Sequence, residues 1–433
     1  MSAMVPALSD VGAALCLFLI LLVPLAIAGL ALINTGFVRS RSAAHAMLTT
    51  LCVVAVAASV YCAFGFAIEG YSGRPMHAIS IVGKPWNWLA AEKFFFRGLE
   101  LDMSPASLAA LLQIFGVGLA AAIPLGSAAD RWRLGPGVIT AALLAGCTYP
   151  LFGHWAWGGG WLAQLGVNYA LGRGFVDCGG AGSIQAVGGL SALAMLWILG
   201  PRRGKYSAEG IPAAIPGHNT VLVLLGCLLA LPGWVGLNSA GAILFAGVAP
   251  ARVVLVAVNT TLSASASALT SLLITRIRFG KPDASLVANG WVGGLVASSA
   301  GCAFLPPLAA LLIGIVAGAL VTFSIQWLEL IAVDDTVGSF SVHGLCGLWS
   351  LLAAGLFAHL PGAPSGQWIA QIVGMATLLG FMLPLSYGLN WLVDRVLPQR
   401  VPPEGERQGM DLHELGAGAY PEFVTYTEEF MQR

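Results

Sequence analysis

Two segments of this chain carry a polar side chain eight residues after an aspartate, within otherwise apolar stretches. Gln185 follows Asp177 in this way, and His343 follows Asp335. Eight residues of helix advance about 12 Å, so both side chains are expected deep inside helices that begin near the aspartates. Imidazole and amide groups both bond small polar molecules, but only imidazole titrates near neutral pH. The pattern predicts a functional site at these two residues, although a neutral histidine that bonds a neighbouring helix would also explain His343.

Asp177 and Trp157 are candidates for the entrance to this site. An aspartate in the position of Asp177 caps the exposed amides at a helix start, and its charge could also act on a cation in surroundings of low dielectric constant. Trp157 precedes three glycines. A tryptophan there is either an anchor at a membrane interface or a cation–π wall for a small cation.

The composition shows where these side chains must lie. Of the 433 residues, 58% are hydrophobic and only 9% are charged, whereas soluble domains carry about 25% charged residues. Most of the surface must therefore face lipid. The net charge is zero, which gives no reason to expect a nucleic-acid partner. The eight cysteines show no metal-ligand spacing, and no nucleophile or phosphate motif is present, so we predict no enzymatic activity, cofactor or metal.

A helix needs about 20 apolar residues to cross a bilayer, and this rule predicts an all-α polytopic membrane protein with eleven transmembrane helices. The predicted spans are 11–35, 43–69, 105–128, 136–156, 178–200, 218–238, 250–275, 284–303, 305–329, 339–360 and 367–393. Residues 1–395 form the transmembrane domain. The segment 70–104 is predicted to be a partly ordered external loop, and residues 396–433 a cytoplasmic C-terminal tail.

The lysines and arginines give the orientation, because cytoplasmic loops carry an excess of them. With the N-terminus outside, fourteen of the twenty lie on the inner side. The aspartate segments also indicate an internal repeat: Asp177-CGGAGSI-Gln185-AVGGL matches Asp335-TVGSFSV-His343-GLCGL. They open the fifth and tenth spans, which run in opposite directions, so we predict an inverted five-plus-five repeat with its site near the membrane midplane. Chance similarity between glycine-rich helices is the alternative.

Several motifs, in the same order as these spans, resemble the ammonium transporters (Amt/Mep/Rh), a family related to the Rhesus glycoproteins. The matching segments are GLALINTGFVRSRSAAHAML at 29–48, WGGG at 157–160, DCGGAGSIQ at 177–185, GWVGLNSAG at 233–241, VNTTLSASAS at 258–267, GKPDASLVANGWVGGLVA at 280–297, VDDTVGSFSVHGLCG at 333–347 and GMDLHELGAGAY at 409–420. The resemblance implies the ammonium-transporter fold, assembled as a homotrimer in the cell (inner) membrane. Each subunit would have its own narrow pore and an aromatic outer site for ammonium or methylammonium. It also implies a possible PII-type signal protein at the tail.

This chain departs from the family pattern along the substrate path. Of the two pore histidines that the resemblance implies, the second matches His343, but the first matches Gln185. Trp157 of the outer site is kept, as is Asp177. The family's phenylalanine of span three aligns to Gly116, with Phe115 adjacent.

Two further departures lie in span six. The family's phenylalanine there aligns to Leu237, and its ammonium-bonding serine aligns to Gly241. A proton relay that needs two titrating rings therefore lacks one of them, at Gln185. We expect an ammonium or ammonia transporter or channel with altered or reduced proton-coupled conduction. The alternatives are a non-conducting ammonium sensor or regulatory protein and a facilitator of another small neutral solute, such as methylamine, carbon dioxide or urea.

Overall fold

The computed structural model of the chain describes residues 8–71, 77–360 and 362–420. Residues 1–7, part of the predicted external loop (72–76) and the end of the predicted tail (421–433) lie outside the described residues. The long helical segments, labelled in chain order, are α1 (Asp10–Phe37), α2 (Ser40–Glu69), α3 (Pro105–Ser127), α4 (Leu134–Ala156), α5 (Ala181–Leu199), α6 (Thr220–Ala246), α7 (Pro250–Phe279), α8 (Ala284–Ser298), α9 (Pro307–Leu330), α10 (Phe340–Phe357) and α11 (Gln367–Val396).

Ten of these segments in the described part of the chain are long and apolar enough to cross a membrane. The remaining one, α8, is an apolar helix of 15 residues and is shorter than the predicted span 284–303. Its role as an eleventh transmembrane helix, and the inverted symmetry of the repeat, stay predictions. Elsewhere the helices follow the predicted spans closely, as in α3, which ends at Ser127 instead of residue 128.

The largest difference is at the end of α6, which continues to Ala246 instead of stopping at 238. The predicted span stops at the polar pair Asn238–Ser239. In the structure both residues are buried, and the Asn238 side chain donates hydrogen bonds to the hydroxyls of Thr260 and Ser298 on neighbouring helices. Neighbouring helices therefore supply the partners that water would otherwise have supplied.

The segment between α2 and α3 contains the two strands found among the described residues, β1 (Ala78–Ile81) and β2 (Lys84–Asn87). They pair antiparallel, with Ala78 opposite Asn87. This hairpin is a small addition to the all-α fold that the sequence predicts. A short helix, Leu165–Tyr169, follows α4.

Large apolar side chains remain exposed on the outer faces of the long helices, for example Phe18, Leu228 and Leu269. Water would penalise such a surface, whereas lipid does not. An extended apolar cluster that includes Ile20, Leu119 and Val321 fills much of the interior of the bundle.

Four of the segments that connect the helices meet at one end of the bundle. Asp130 after α3 pairs with Arg39 after α1 and with Arg202 after α5. Arg202 in turn bonds Asp334, which precedes α10. The beginning of the predicted tail joins the same end, where Gln399 accepts a hydrogen bond from the indole N–H of Trp132. The short helix Pro403–Gln408 follows.

Candidate functional site

The two polar residues that the repeat places eight positions after its aspartates are in contact. The Nδ1 atom of His343 lies 2.7 Å from the Oε1 atom of Gln185, and both side chains are buried, so the predicted contact is present. An amide oxygen only accepts hydrogen bonds, so Nδ1 carries the proton, and in the neutral ring Nε2 carries the lone pair. The Nε2 atom of Gln185 bonds to none of the described residues. The pair therefore offers one donor group and one acceptor atom to a small molecule.

The same local conformation positions both residues of this pair. Gly180 and Gly338 each have a positive φ, +81° and +83°, a conformation that glycine adopts without strain. A π-helical turn follows in each segment, over Ala181–Ala186 and Phe340–Leu345. A wide turn of this kind is frequent at functional sites.

The aspartates of the repeat act as caps at the starts of α5 and α10. Asp177 Oδ2 accepts hydrogen bonds from the amides of Gly182 and Ser183 at 3.0 and 2.8 Å. Asp335 accepts from the amide of Phe340 at 2.9 Å and from the Ser127 hydroxyl at 2.7 Å. The structure thus gives Asp177 the capping role, although its second oxygen, Oδ1, finds no partner among the described residues.

Close approach of α5 and α10 brings the pair together. A Cβ atom on Gly189 would lie 2.1 Å from the backbone nitrogen of Gly344, and one on Gly347 would lie 2.6 Å from the carbonyl oxygen of Ala181. Gly189 and Gly347 are the glycines twelve positions after the two aspartates. In each repeat, the glycine at this position lets the backbone of the other repeat approach closely.

Trp157 lies next to the cap of α5. Its indole N–H donates to the carbonyl oxygen of Asp177 at 2.7 Å. Its ring stacks on Phe245 with a centroid separation of 4.4 Å and an angle of 11°. Parallel rings at this distance leave no room for a cation between them, so only the opposite face of Trp157 is available for a cation–π contact. Sequence reasoning missed Phe245, because the predicted sixth span ended before it.

The other predicted path residues are not joined to Trp157 by a described contact. Phe115 is half-buried and packs against the apolar core, and Leu237 belongs to that core. A Cβ atom on Gly241 would lie 2.1 Å from the carbonyl oxygen of Cys178, so the backbone fills the space that a serine would need. At Gly116 a Cβ atom would lie 2.6 Å from the Tyr149 hydroxyl.

That hydroxyl belongs to a buried polar network that sequence reasoning missed. The Glu69 carboxylate accepts hydrogen bonds from the Tyr61 hydroxyl at 2.7 Å and from the Gln113 side-chain amide. Gln113 in turn accepts from the Tyr149 hydroxyl at 2.5 Å. Glu69 lies at the end of α2 and forms no ion pair with the described residues. A carboxyl group at the end of a predicted span is a signal that the sequence carries.

The side chain that covers the pair from α6 is Trp234, whose ring centroid lies 6.4 Å from that of His343. Within residues 8–71, 77–360 and 362–420, no group of three His, Cys, Asp or Glu side chains is arranged to hold a metal ion. The central site therefore consists of one buried amide and one buried imidazole, with the ring of Trp234 beside the imidazole. Its chemistry is hydrogen bonding to a small neutral or singly charged molecule.

Comparison with known proteins gives one consistent family. A model of the Ammonium Transporter Family matches residues 13–420. Ammonium transporter Amt2 of Archaeoglobus fulgidus is 36% identical, over 96% of this chain and 89% of that protein. Ammonium transporter 1 member 2 of Arabidopsis thaliana is 32% identical, over 89% of this chain and 79% of that protein.

Solved structures show the same fold. A protein named Sensor Amt Protein matches with a TM-score of 0.84 and 26% identity, over 94% of this chain and 98% of that chain. Mep2 from Candida albicans matches with a TM-score of 0.80 and 22% identity, over 97% of this chain and 92% of that chain. At this lower identity the likeness concerns the fold alone.

Proposed function

We propose, from the premise that this chain belongs to the ammonium transporter family, that it passes ammonium nitrogen through the membrane as neutral ammonia with little accompanying proton current. The protein is multi-pass, and its family and named relatives are transporters rather than enzymes. The observation that carries the finer proposal is the contact between Gln185 and His343.

The physical argument begins with the cost of charge. Moving an intact ion into an apolar passage costs far more free energy than moving a neutral amine. The central pair suits the neutral form, because the amide N–H of Gln185 can donate to the lone pair of ammonia and Nε2 of His343 can accept from its N–H. A proton has no equivalent path, because the amide does not titrate near neutral pH.

Ammonium must therefore lose its proton on the outer side of the pair. We propose that Trp157 and Asp177 mark this entrance and that Phe115, Leu237 and Gly241 line the path below it. The ring face of Trp157 that points away from Phe245 is available to a cation. The Oδ1 atom of Asp177, which has no hydrogen-bond partner among the described residues, adds negative charge. With the phenylalanine and serine positions occupied by Leu237 and Gly241, we expect weak recruitment of the ion.

The remaining family features are also proposals for this chain. They are a homotrimer in the inner membrane, an outside N-terminus, and a cytoplasmic tail from residue 396 that a PII-type protein could bind. The contact of Gln399 with Trp132 supports the position of the tail at the end that gathers Arg39, Arg202 and Asp334.

The test is a paired measurement on protein reconstituted in proteoliposomes. After an ammonium jump, electrical current reports charge, and a dye for internal pH reports entry of ammonia, which takes up protons inside. We expect internal alkalinisation faster than in protein-free liposomes, with current no larger than in controls without substrate. Saturable ammonium current in the unmodified protein would refute the proposal, and methylammonium tests the size limit.

The second candidate function is ammonium sensing without conduction. It is favoured by the fold likeness to a protein named as a sensor and by the close packing of Gly241 against Cys178 on the outer side. Absence of both alkalinisation and current, together with a saturable ammonium-dependent rise in thermal stability, would select this function over transport.

A further inference from the structure

The stretch of chain that carries Asp177 into α5 is irregular. Residues 175–180 form neither helix nor strand. Backbone of this kind leaves its N–H and C=O groups without the partners that a helix provides, and lipid supplies no water to bond them. Neighbouring helices must therefore supply the partners, and they thereby determine where Asp177 lies.

One side chain of α11, Gln371, satisfies both backbone groups of the residue before Asp177. Its Oε1 atom accepts a hydrogen bond from the N–H of Val176 at 2.9 Å, and its Nε2 atom donates to the carbonyl oxygen of Val176 at 2.8 Å. That carbonyl belongs to the peptide group that includes the amide of Asp177. The contact therefore fixes the plane in which the backbone of Asp177 begins.

Two further residues on the same face of α11 contact this stretch of chain. Gln367 accepts from the N–H of Arg173 at 2.9 Å and donates to the carbonyl oxygen of Gly174 at 2.7 Å. A Cβ atom on Gly374 would lie 2.1 Å from Cε2 of Phe175, so the glycine leaves room for that ring. Residues 367, 371 and 374 are four and three positions apart, which places them on one side of a helix.

The burial of Gln371 is unusual for its helix. In the first eleven residues of α11 the buried ones are Ala370, Gln371 and Gly374, whereas Trp368 is half exposed. Burying an amide costs free energy unless it is hydrogen-bonded. The bonds with Val176 are the shortest that this amide makes, so the contact with the irregular stretch accounts for a polar residue at this position.

The residues after Asp177 are held from another helix. The amides of Cys178 and Gly179 donate to the carbonyl oxygens of Ala300 and Ser299, just after α8, at 3.0 and 2.9 Å. Asp177 is thus fixed on both sides along the chain. Its carbonyl oxygen is the acceptor for the indole N–H of Trp157, so the position of this backbone also determines where the indole can bond.

We propose that Gln371 is a positioning residue of the ammonium entrance. It holds the backbone of Asp177, and through that backbone the indole of Trp157, without touching the ion itself. The inference rests on the proposed function, because it gives Gln371 a part in the recruitment that Trp157 and Asp177 perform.

The variant that tests this role is Gln371→Met, which has a similar length and cannot form the two hydrogen bonds to Val176. We expect faster hydrogen–deuterium exchange in residues 172–180. In proteoliposomes we expect the half-saturating ammonium concentration for internal alkalinisation to rise about tenfold. The maximal rate should change little, because the contact of Gln185 with His343 is not altered.

The matched control is Asn390→Leu, which removes another buried amide from α11. The Asn390 side chain accepts from the Thr140 hydroxyl at 2.6 Å and donates to the Ser386 carbonyl oxygen at 2.8 Å, away from the entrance. Its melting temperature should fall as in Gln371→Met, with no change in half-saturation or in exchange of residues 172–180. Should Gln371→Met fail to fold, Gln367→Met removes the bonds to Arg173 and Gly174, and we expect a smaller rise in the same direction.

An unchanged half-saturating concentration in Gln371→Met would overturn the positioning role. An equal rise in Asn390→Leu would also overturn it, because the effect would then come from general loosening of α11. A fall in the maximal rate alone would place the effect at the central pair and would likewise contradict the proposal.

Failure of the proposed function has a different signature, because the unmodified protein would then show no alkalinisation. The half-saturating ammonium concentration for thermal stabilisation replaces the flux measurement in that case. A tenfold rise of this concentration in Gln371→Met would support the positioning role while transport is removed. No ammonium response of either kind in the unmodified protein would overturn both proposals.

Discussion

The side-chain oxygen of Gln185 accepts a hydrogen bond from Nδ1–H of His343, and the side-chain nitrogen of Gln185 bonds to none of the described residues. One hydrogen bond thus fixes the orientation of the ring and leaves the lone pair of Nε2 for a ligand. A second histidine at position 185 would keep this bond and add a titrating nitrogen.

From this contact we predict that Gln185→His raises the ammonium-dependent current in proteoliposomes, because protons then have two rings to pass. The fold and assembly should not change, since the substitution keeps a hydrogen-bonding side chain against His343. The control is the exchanged pair, Gln185→His with His343→Gln, which again has one ring and one amide. An equal gain in the exchanged pair would contradict the two-ring argument.

Gly241 allows a second prediction at the residue scale. Gly241→Ser restores the family's serine, but its Cβ atom would lie 2.1 Å from the Cys178 carbonyl oxygen. Overpacking of this kind costs about 1–3 kcal/mol, so the melting temperature should fall. Gly388→Ser is the control, because a Cβ atom there meets nothing within 4 Å. Equal melting temperatures for the two variants would show that the backbone of Cys178 moves easily.

At the scale of elements, the segments before α10 and after α5 are joined by a buried ion pair. The side chains of Asp334 and Arg202 make hydrogen bonds of 2.8 and 2.9 Å, and both residues are buried. Burial raises the pKa of Asp334, but the hydrogen bonds of Arg202 and the charges of Arg131 and Arg202 outweigh it and bring the pKa down to about 2. Burial lowers the pKa of Arg131 to about 10, so this guanidinium remains charged at neutral pH.

A pKa that is lower in the folded than in the unfolded protein stabilises the fold at pH values above the unfolded pKa. The contribution of Asp334 is therefore complete above pH of about 4 and is lost as the pH falls toward 2. A shift of roughly two units corresponds to about 2–3 kcal/mol. We predict that Asp334→Asn lowers the melting temperature at pH 7 and reduces its acid dependence.

The control for this prediction is Glu404→Gln, which removes a carboxylate from an exposed pair with Arg407. Exposed pairs contribute little to stability, so this variant should melt like the unmodified protein at both pH values. If the melting temperature of Asp334→Asn falls with acid as much as that of the unmodified protein, other carboxylates control the acid dependence.

At the scale of the whole molecule, the first part of the tail binds the ends of the helices. Asp411 accepts hydrogen bonds from the amides of Ala44 and His45 at 3.2 and 2.8 Å, and Glu406 accepts from the amide of Arg203 at 2.6 Å. The tail thereby connects the start of α2 with the segment that follows α5.

We predict that Asp411→Ala increases proteolytic cleavage within residues 396–420, because two amides at the start of α2 lose their cap. Glu404→Ala, at an exposed position in the same tail, should not change the cleavage rate. An unchanged cleavage rate in Asp411→Ala would contradict this prediction. It would mean that the contacts of Gln399 and Glu406 are sufficient to keep the tail bound to the ends of the helices.

Orientation gives the last prediction. A single cysteine introduced in the 77–104 segment should react with a membrane-impermeant maleimide from outside intact cells, and one in the tail should not. Natural cysteines with partial exposure, such as Cys62, are replaced beforehand. Labelling of the loop only after the membrane is opened would overturn the proposed orientation.

Much of this architecture is predictable because lipid imposes a strong constraint on sequence. A helix in lipid must bond its backbone internally and bury few charges, so long apolar runs such as Pro307–Leu330 were located to within two residues. The aspartate repeat likewise predicted the contact of Gln185 with His343, because equal offsets in related helices give related depths.

Composition, hydropathy and the aspartate repeat thus predict the class of protein, the order of its helices and the contact between Gln185 and His343. The sequence does not predict that Trp157 stacks on Phe245, that the backbone of Cys178 fills the space beside Gly241, or that Gln371 bonds the backbone of Val176. The reason is physical: periodicity and composition report which medium a residue faces, whereas these contacts depend on the packing of helices distant in sequence, to within about an ångström.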